Sequence, residues 1–139
     1  MPPSVPFLGV IEGFFGRSWS WAERTAYASF LRTHGYSFYI YAPKDEPFLR
    51  KRWSEPFPEE RLTALAALFS TLQSSGIQRG VGLSPYEAYR EYDSGARAGL
   101  REKVAVLNTL SLDILCVLFD DMRGDVPALA ETQIRILAD

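Results

Sequence analysis

Four short apolar runs, Phe7 to Ile11, Phe38 to Ala42, Gly80 to Leu83 and Ile114 to Phe119, recur along the chain with helical patterns between them. Each run is continuously apolar rather than alternating. A strand built from such a run is covered on both faces, which is the mark of a parallel sheet. The segments between them carry helix punctuation. Ser20-Trp21-Ala22-Glu23 has the form of a capping box, and the helix it opens runs to His34 and stops at Gly35. Pro58-Glu59-Glu60 opens a second helix with Leu62, Leu65, Phe69 and Leu72 on one face and Gly76 at its end. A third begins near Ser94 and shows Leu100, Val104 and Leu107; Asp125 with Pro127 opens a fourth, with Ala130, Ile134 and Leu137 on one face. The order is βαβαβαβα.

Strict βα alternation allows an open doubly wound sheet or a (β/α)8 barrel. A complete barrel takes about 250 residues, so 139 residues hold the open sheet or about half a barrel. The first βα turn, Gly9 to Gly16, contains glycines but not the GxGxxG spacing that seats a pyrophosphate on a helix terminus, which removes most support for nucleotide binding. The one irregular stretch of any length, Pro43 to Phe57, mixes Lys44, Asp45, Glu46, Phe48, Arg50 and Trp53, and reads as a βα loop with a function of its own.

Charge and composition narrow the partners. Fifteen basic against seventeen acidic residues, a formal charge of −2, give no electrostatic footprint for nucleic acid or an anionic membrane. No apolar run approaches the ~20 residues that cross a bilayer. The amino terminus has neither a basic nor an apolar leader region, so the expectation is a cytoplasmic, soluble protein. A single cysteine, Cys116, and a single histidine, His34, argue against a disulfide framework or a transition-metal site, and no cofactor is expected.

Polar residues follow each apolar run: Glu12-Gly13 and Gly16-Arg17, Lys44-Asp45, Ser84-Pro85-Tyr86, and Asp120-Asp121. In α/β folds the carboxyl ends of parallel strands share one face, so the four clusters are expected to meet there. Two adjacent carboxylates at the end of an apolar strand resist double ionisation, and one of them is then expected to act as a general acid. The alternatives are a pair that merely caps the strand end, or a magnesium ligand pair serving phosphoryl transfer. Consecutive acids do not easily flank one bond from opposite sides, as the two carboxyls of ordinary glycosidases do. They can serve one face, one holding a neighbouring substrate group and the other delivering the proton, which suits a substrate that brings its own nucleophile. Pro43 fixes the exit of the second strand and aims Lys44 at the same face, unless Lys44 is an ordinary exposed loop lysine. Gly13 and Gly16 are read either as tight-turn residues or as places where a ligand approaches the backbone. Trp19, Trp21 and Trp53 are candidates for a sugar platform or for core, while His34 and Cys116 are read as structural.

Taken together, Gly9 to Ser20, Tyr39-Ile40-Tyr41-Ala42-Pro43-Lys44-Asp45, Leu83-Ser84-Pro85 and Leu118-Phe119-Asp120-Asp121 resemble, in order and spacing, the amino-terminal half of the catalytic domain of glycoside hydrolase family 84. This family comprises β-N-acetylglucosaminidases, including O-GlcNAcase and hyaluronidase-like proteins. The resemblance implies an α/β fold, the (βα)4 half of a (β/α)8 TIM barrel, with residues 1–139 as part of the catalytic domain. It implies a retaining exo-enzyme that removes terminal N-acetylglucosamine through an oxazoline intermediate. Asp120 would orient and polarise the 2-acetamido group, and Asp121 would be the general acid and then the base. The backbone at Gly13 and the ammonium of Lys44 would bind sugar hydroxyls. The expected partner is an N-acetylglucosamine-bearing glycan or glycoprotein, with no metal and no cofactor. Phe15 replaces the family's usual Tyr, Glu46 its second Asp, and Tyr86-Glu87-Ala88 its Gly-Leu-Asp. The family's remaining sugar ligands belong to the second half of the barrel, which implies an incomplete site and open barrel edges prone to self-association.

Overall fold

The computed structural model describes residues 7–139. Strands β1 (Gly9–Glu12), β2 (Phe38–Tyr41), β3 (Gln78–Leu83) and β4 (Ile114–Val117) form one parallel sheet in sequence order. Helices α1 (Trp21–Thr33), α2 (Glu59–Ser74), α3 (Ser94–Asn108) and α4 (Leu129–Ala138) follow the strands in turn. The expected alternation is present, with shifts at three ends. Phe7 and Leu8 precede β1, which runs on to Glu12 instead. The ladder of β4 ends at Val117, although the Leu118 amide still donates to the Leu83 carbonyl at 2.8 Å. Helix α4 begins at Leu129 rather than at Asp125–Pro127. Asp125 is paired with Arg123 instead of capping, and Ala128 takes a left-handed φ of 54° that no helix can pass through.

Side chains alternate across the sheet, and the two faces are packed differently. Tyr39, Tyr41, Val81 and Leu83 face the helices and form one core with Leu31, Leu65, Phe69, Leu72, Leu100 and Leu107. The opposite face carries Ile11, Ile40 and Ala42 together with Gly80 and Gly82. A Cβ at Gly82 would sit 2.7 Å from the Ala42 Cβ and 2.8 Å from Leu118, and one at Gly80 would sit 2.7 Å from Ile40. Only glycine allows the strands to curve so closely here. Ile11, on β1, is 49% exposed. The helices of the core pack against the other face of the sheet.

Helix ends follow the sequence signals. Ser20 accepts from the Glu23 amide at 3.2 Å while Glu23 accepts from the Ser20 amide at 2.6 Å, so the capping box is complete. Gly35 and Gly76 stop α1 and α2 with φ of 75° and 71°. The stretch 43–57 is not a plain loop: it contains a 3₁₀ turn, Pro47–Leu49, and sends Phe48, Leu49, Trp53 and Phe57 into the core.

Candidate active site

Three of the four polar clusters converge beyond the strand ends. After β3 the chain turns at Ser84, whose hydroxyl donates to Asp120 Oδ1 at 2.9 Å. After β2, Lys44 leaves Pro43 and its ammonium lies against Asp120 Oδ2 as an ionic contact rather than an aligned hydrogen bond. One carboxylate from the β4 segment is thus fixed from both sides by groups on two other loops. Its side chain keeps 30% exposure, although Oδ2 itself is buried against Lys44.

Asp121 behaves differently. It adopts a left-handed φ of 59°, a conformation that Asp tolerates better than most residues, and its carboxylate pairs with Arg50. The Arg50 guanidinium lies 6.0 Å from the centre of the Phe15 ring and 5.6 Å from that of Tyr86, and its side chain is only 12% exposed, against 52% for Asp121. The arginine is the held partner and the carboxylate the accessible one. From sequence alone the two adjacent acids face only each other. In the structure each has its own cation, and Arg50, 71 residues away in the chain, carries no signal in sequence that it would be one of them.

The first cluster does not join as expected. Glu12 points to the helix side, 1% exposed, where Arg24 donates Nε to Oε2 at 2.9 Å and Nη2 to Oε1 at 2.7 Å and the Tyr39 hydroxyl donates to the same carboxylate. Burial, and then the Glu12 charge, push the Tyr39 phenol well above its ordinary value, so it stays a donor. Arg17 turns outward to Glu23 at 2.7 Å. What β1 sends toward the site is the Phe15 ring, 5.7 Å from the Lys44 nitrogen. Gly16 has a φ of 115°, which accounts for it as a turn residue. At Gly13 the amide donates to the Ile11 carbonyl at 2.9 Å, and an added Cβ would make only an ordinary 3.7 Å contact with Ile11. Among the described residues no contact demands glycine there, which suits the ligand-approach reading of Gly13.

The tryptophans resolve toward packing. Trp53 is buried, Trp21 stacks on Tyr41 at 5.7 Å, and Trp19 meets Tyr27 edge-on at 4.9 Å. His34 caps α1, its Nδ1 lying 2.9 Å from the Phe30 carbonyl. A cavity of about 460 Å³ lies away from the Asp pair, between α1 and the start of α2, walled by Trp21, Arg24, Tyr41, Glu46 and Arg61. Its cations are already committed, Arg24 to Glu12 and Arg61 to Glu46 at 2.6 Å.

The site thus consists of a positioned carboxylate, a more accessible one beside it, and a lysine, all at the carboxyl ends of parallel strands. A family model described as beta-N-acetylglucosaminidase matches residues 8–138. The Protein O-GlcNAcase of Rattus norvegicus and that of Mus musculus are each 28% identical over 114 residues, 82% of this chain and 12% of theirs. Among solved structures, CpGH84B superposes with a TM-score of 0.84 at 26% identity, over 98% of this chain and 24% of that one. The Thermobaculum terrenum O-GlcNAc hydrolase, in a mutant form, gives 0.78 at 28% identity, over 95% of this chain and 30% of the other. The chain therefore spans 12% of the length of the curated relatives it matches. Its four βα units correspond to the amino-terminal half of the TIM barrel of these neighbours, and with the family model matching nearly the whole of its length, this chain belongs to the β-N-acetylglucosaminidases of glycoside hydrolase family 84.

Proposed function

We propose that this chain supplies the acid/base half of a retaining exo-β-N-acetylglucosaminidase site, acting on terminal N-acetylglucosamine of a glycan or glycoprotein. The observation that carries the reading is the convergence of Lys44, Ser84 and Asp120 from three successive βα loops, with the more accessible Asp121 next in line. Asp120, held between Ser84 and Lys44, is placed to accept from the substrate's acetamido N–H and so to sharpen its carbonyl oxygen as a nucleophile. That oxygen attacks the anomeric carbon, the glycosidic C–O bond breaks, and Asp121 gives its proton to the departing oxygen. In the second half Asp121 takes a proton from water as the water oxygen attacks the anomeric carbon and the oxazoline reopens. Lys44 has further N–H donors for a sugar hydroxyl, and the backbone at Gly13 offers another contact.

Hydrolysis of a chromogenic N-acetylglucosaminide by the protein that carries this chain, compared with the matching plain glucoside, tests this reading. The expected result is turnover of the first only. Comparable rates on both would remove the acetamido group from the mechanism.

A second reading has its own support: residues 1–139 as a catalytically incomplete, sugar-binding half. Within the described residues β1 and β4 are the sheet's edges, and Phe7, Leu8, Ile11, Ile134 and Leu137 are 48–66% exposed. Unpaired edges and exposed apolar surface favour association. The 139-residue chain by itself is expected to self-associate in light scattering and to cleave no N-acetylglucosaminide, because loose positioning alone costs about 10²-fold. A stable monomer with turnover would overturn this second reading.

A further inference from the structure

Lys103 lies on the buried face of α3 and is 4% exposed, yet among the described residues it has no carboxylate partner within ion-pair distance. Its ammonium instead donates to two backbone carbonyls of the β2–α2 segment, Glu55 at 2.6 Å and Phe48 at 3.0 Å, and lies 4.2 Å from the centre of the Phe57 ring. Two carbonyls and one ring face match the three N–H donors of a lysine. These partners all belong to the stretch that carries Lys44 and Arg50, the cations of Asp120 and Asp121. The same stretch is bonded onward to the third βα loop. The Ser84 amide donates to the Leu49 carbonyl at 2.8 Å, and the Trp53 indole donates to the Tyr86 carbonyl at 3.1 Å. From α3, therefore, hydrogen bonds to the adjacent carbonyls of Phe48 and Leu49 link Lys103 through the backbone to Ser84, whose hydroxyl holds Asp120.

We propose that Lys103 is a positioning residue that clamps the 47–57 segment and thereby sets where Lys44 meets Asp120. Removing its donors would strand two carbonyls, and among the described residues no other side chain of α3 hydrogen-bonds to this segment. The environment agrees with a structural cation under desolvation. Burial pushes the Lys103 ammonium down to about 8, with Glu46 and Glu55 acting in the opposite direction. A neutral amine keeps two N–H groups, enough for both carbonyls, so the clamp does not depend on the charge.

The chain has three lysines, Lys44, Lys51 and Lys103, so competitive amine labelling at pH 8 read by peptide mass spectrometry reports each separately. In the native protein Lys51, on an exposed turn, should react fastest and Lys44 more slowly. Lys103 should react at least tenfold more slowly than Lys51, although its lowered proton affinity alone would make it the most reactive. In Lys103→Met, Lys44 labelling should rise about tenfold, toward the rate of Lys51. In Lys103→Arg, which keeps N–H donors for the carbonyls, Lys44 should stay slow. A folded Lys103→Met protein with unchanged Lys44 labelling overturns the proposal. Where that variant does not fold, a native Lys103 that labels as fast as Lys51 does so equally. The proposal takes the importance of Lys44 from the glycosidase reading, but the labelling does not depend on it. Failure to hydrolyse N-acetylglucosaminides with the labelling pattern intact would remove the function and leave the clamp.

Discussion

Two sets of carboxylates end strands on the same side of this sheet, and they have opposite fates. Glu12 closes β1 and is taken inward, fully buried against Arg24 and Tyr39, with both oxygens bonded. Asp120 and Asp121 follow β4 and stay 30% and 52% exposed, each with a single cation. The strand periodicity explains the split. Glu12 falls on the helix-facing side, in register with Tyr41, whereas Asp120 lies past the last ladder pair, where the chain is free to turn toward the loops. A carboxylate at a strand end is thus a structural group or a chemical one according to which face it leaves from and which partners wait there.

The largest expected effect tests the structural side. Glu12→Ala leaves the Arg24 guanidinium buried without its partner, and breaking a buried pair in this way typically costs about 3–5 kcal/mol. Denaturant unfolding should show a loss of that order. Replacing both partners together, Glu12→Met with Arg24→Leu, should recover most of it, since apolar side chains of similar volume replace a buried pair at little net cost. A single mutant as stable as the native chain would show that the Glu12 network is not a structural one.

The chemical side predicts the reverse pattern. Asp121→Asn, in the protein that turns over substrate, should lower rates on poor leaving groups by about 10²–10⁴-fold and much less on activated ones, because only the former need a proton. Asp120→Asn should lose rate on both, since assistance to the acetamido group is common to them. An equal loss on all leaving groups for Asp121→Asn would take the acid role away from it. Unlike Glu12→Ala, Asp121→Asn should change stability by about 1 kcal/mol or less, as expected for a half-exposed pair whose amide oxygen still accepts from Arg50.

The same contrast marks what sequence could say. Strand and helix order, the capping box at Ser20, the stops at Gly35 and Gly76, and the convergence of Lys44, Ser84 and Asp120 all follow from local patterns and one topological rule. The partners of Glu12, Asp121 and Lys103 do not, because they depend on contacts between residues 12, 71 and up to 55 positions apart. One of the three left a trace. Lys103 stands three residues after Leu100 and four before Leu107, on the apolar stripe of its helix, where a charged residue requires a buried partner. The late start of α4 had no such trace, since Asp125 and Pro127 read as a helix opening and only the ion pair with Arg123 diverts the acid.

The smallest effect concerns a third kind of carboxylate, on the helix surface, and sharpens the comparison by pH. Glu23 is held by Arg17 and by the Ser20 amide, which together lower it from 4.5 to about 2. A carboxylate lowered on folding contributes stability that is present above its unfolded value and is lost as pH falls through the folded one. The capping box should therefore help α1 in full above about pH 4.5, weaken below that, and contribute nothing below about 2. Exposure to solvent keeps the effect small, and it belongs to the first turn of one helix rather than to the core. Amide exchange at the start of α1, followed from pH 5 to pH 2 in the native chain and in Glu23→Gln, isolates it from other acids that titrate in the same range. The native first turn should lose protection faster than the variant as pH falls, until the two coincide near pH 2. Parallel curves across the whole range would mean that Glu23 caps α1 without being held there by Arg17 and Ser20, and that exposed carboxylates in this fold carry no pH-dependent structural role.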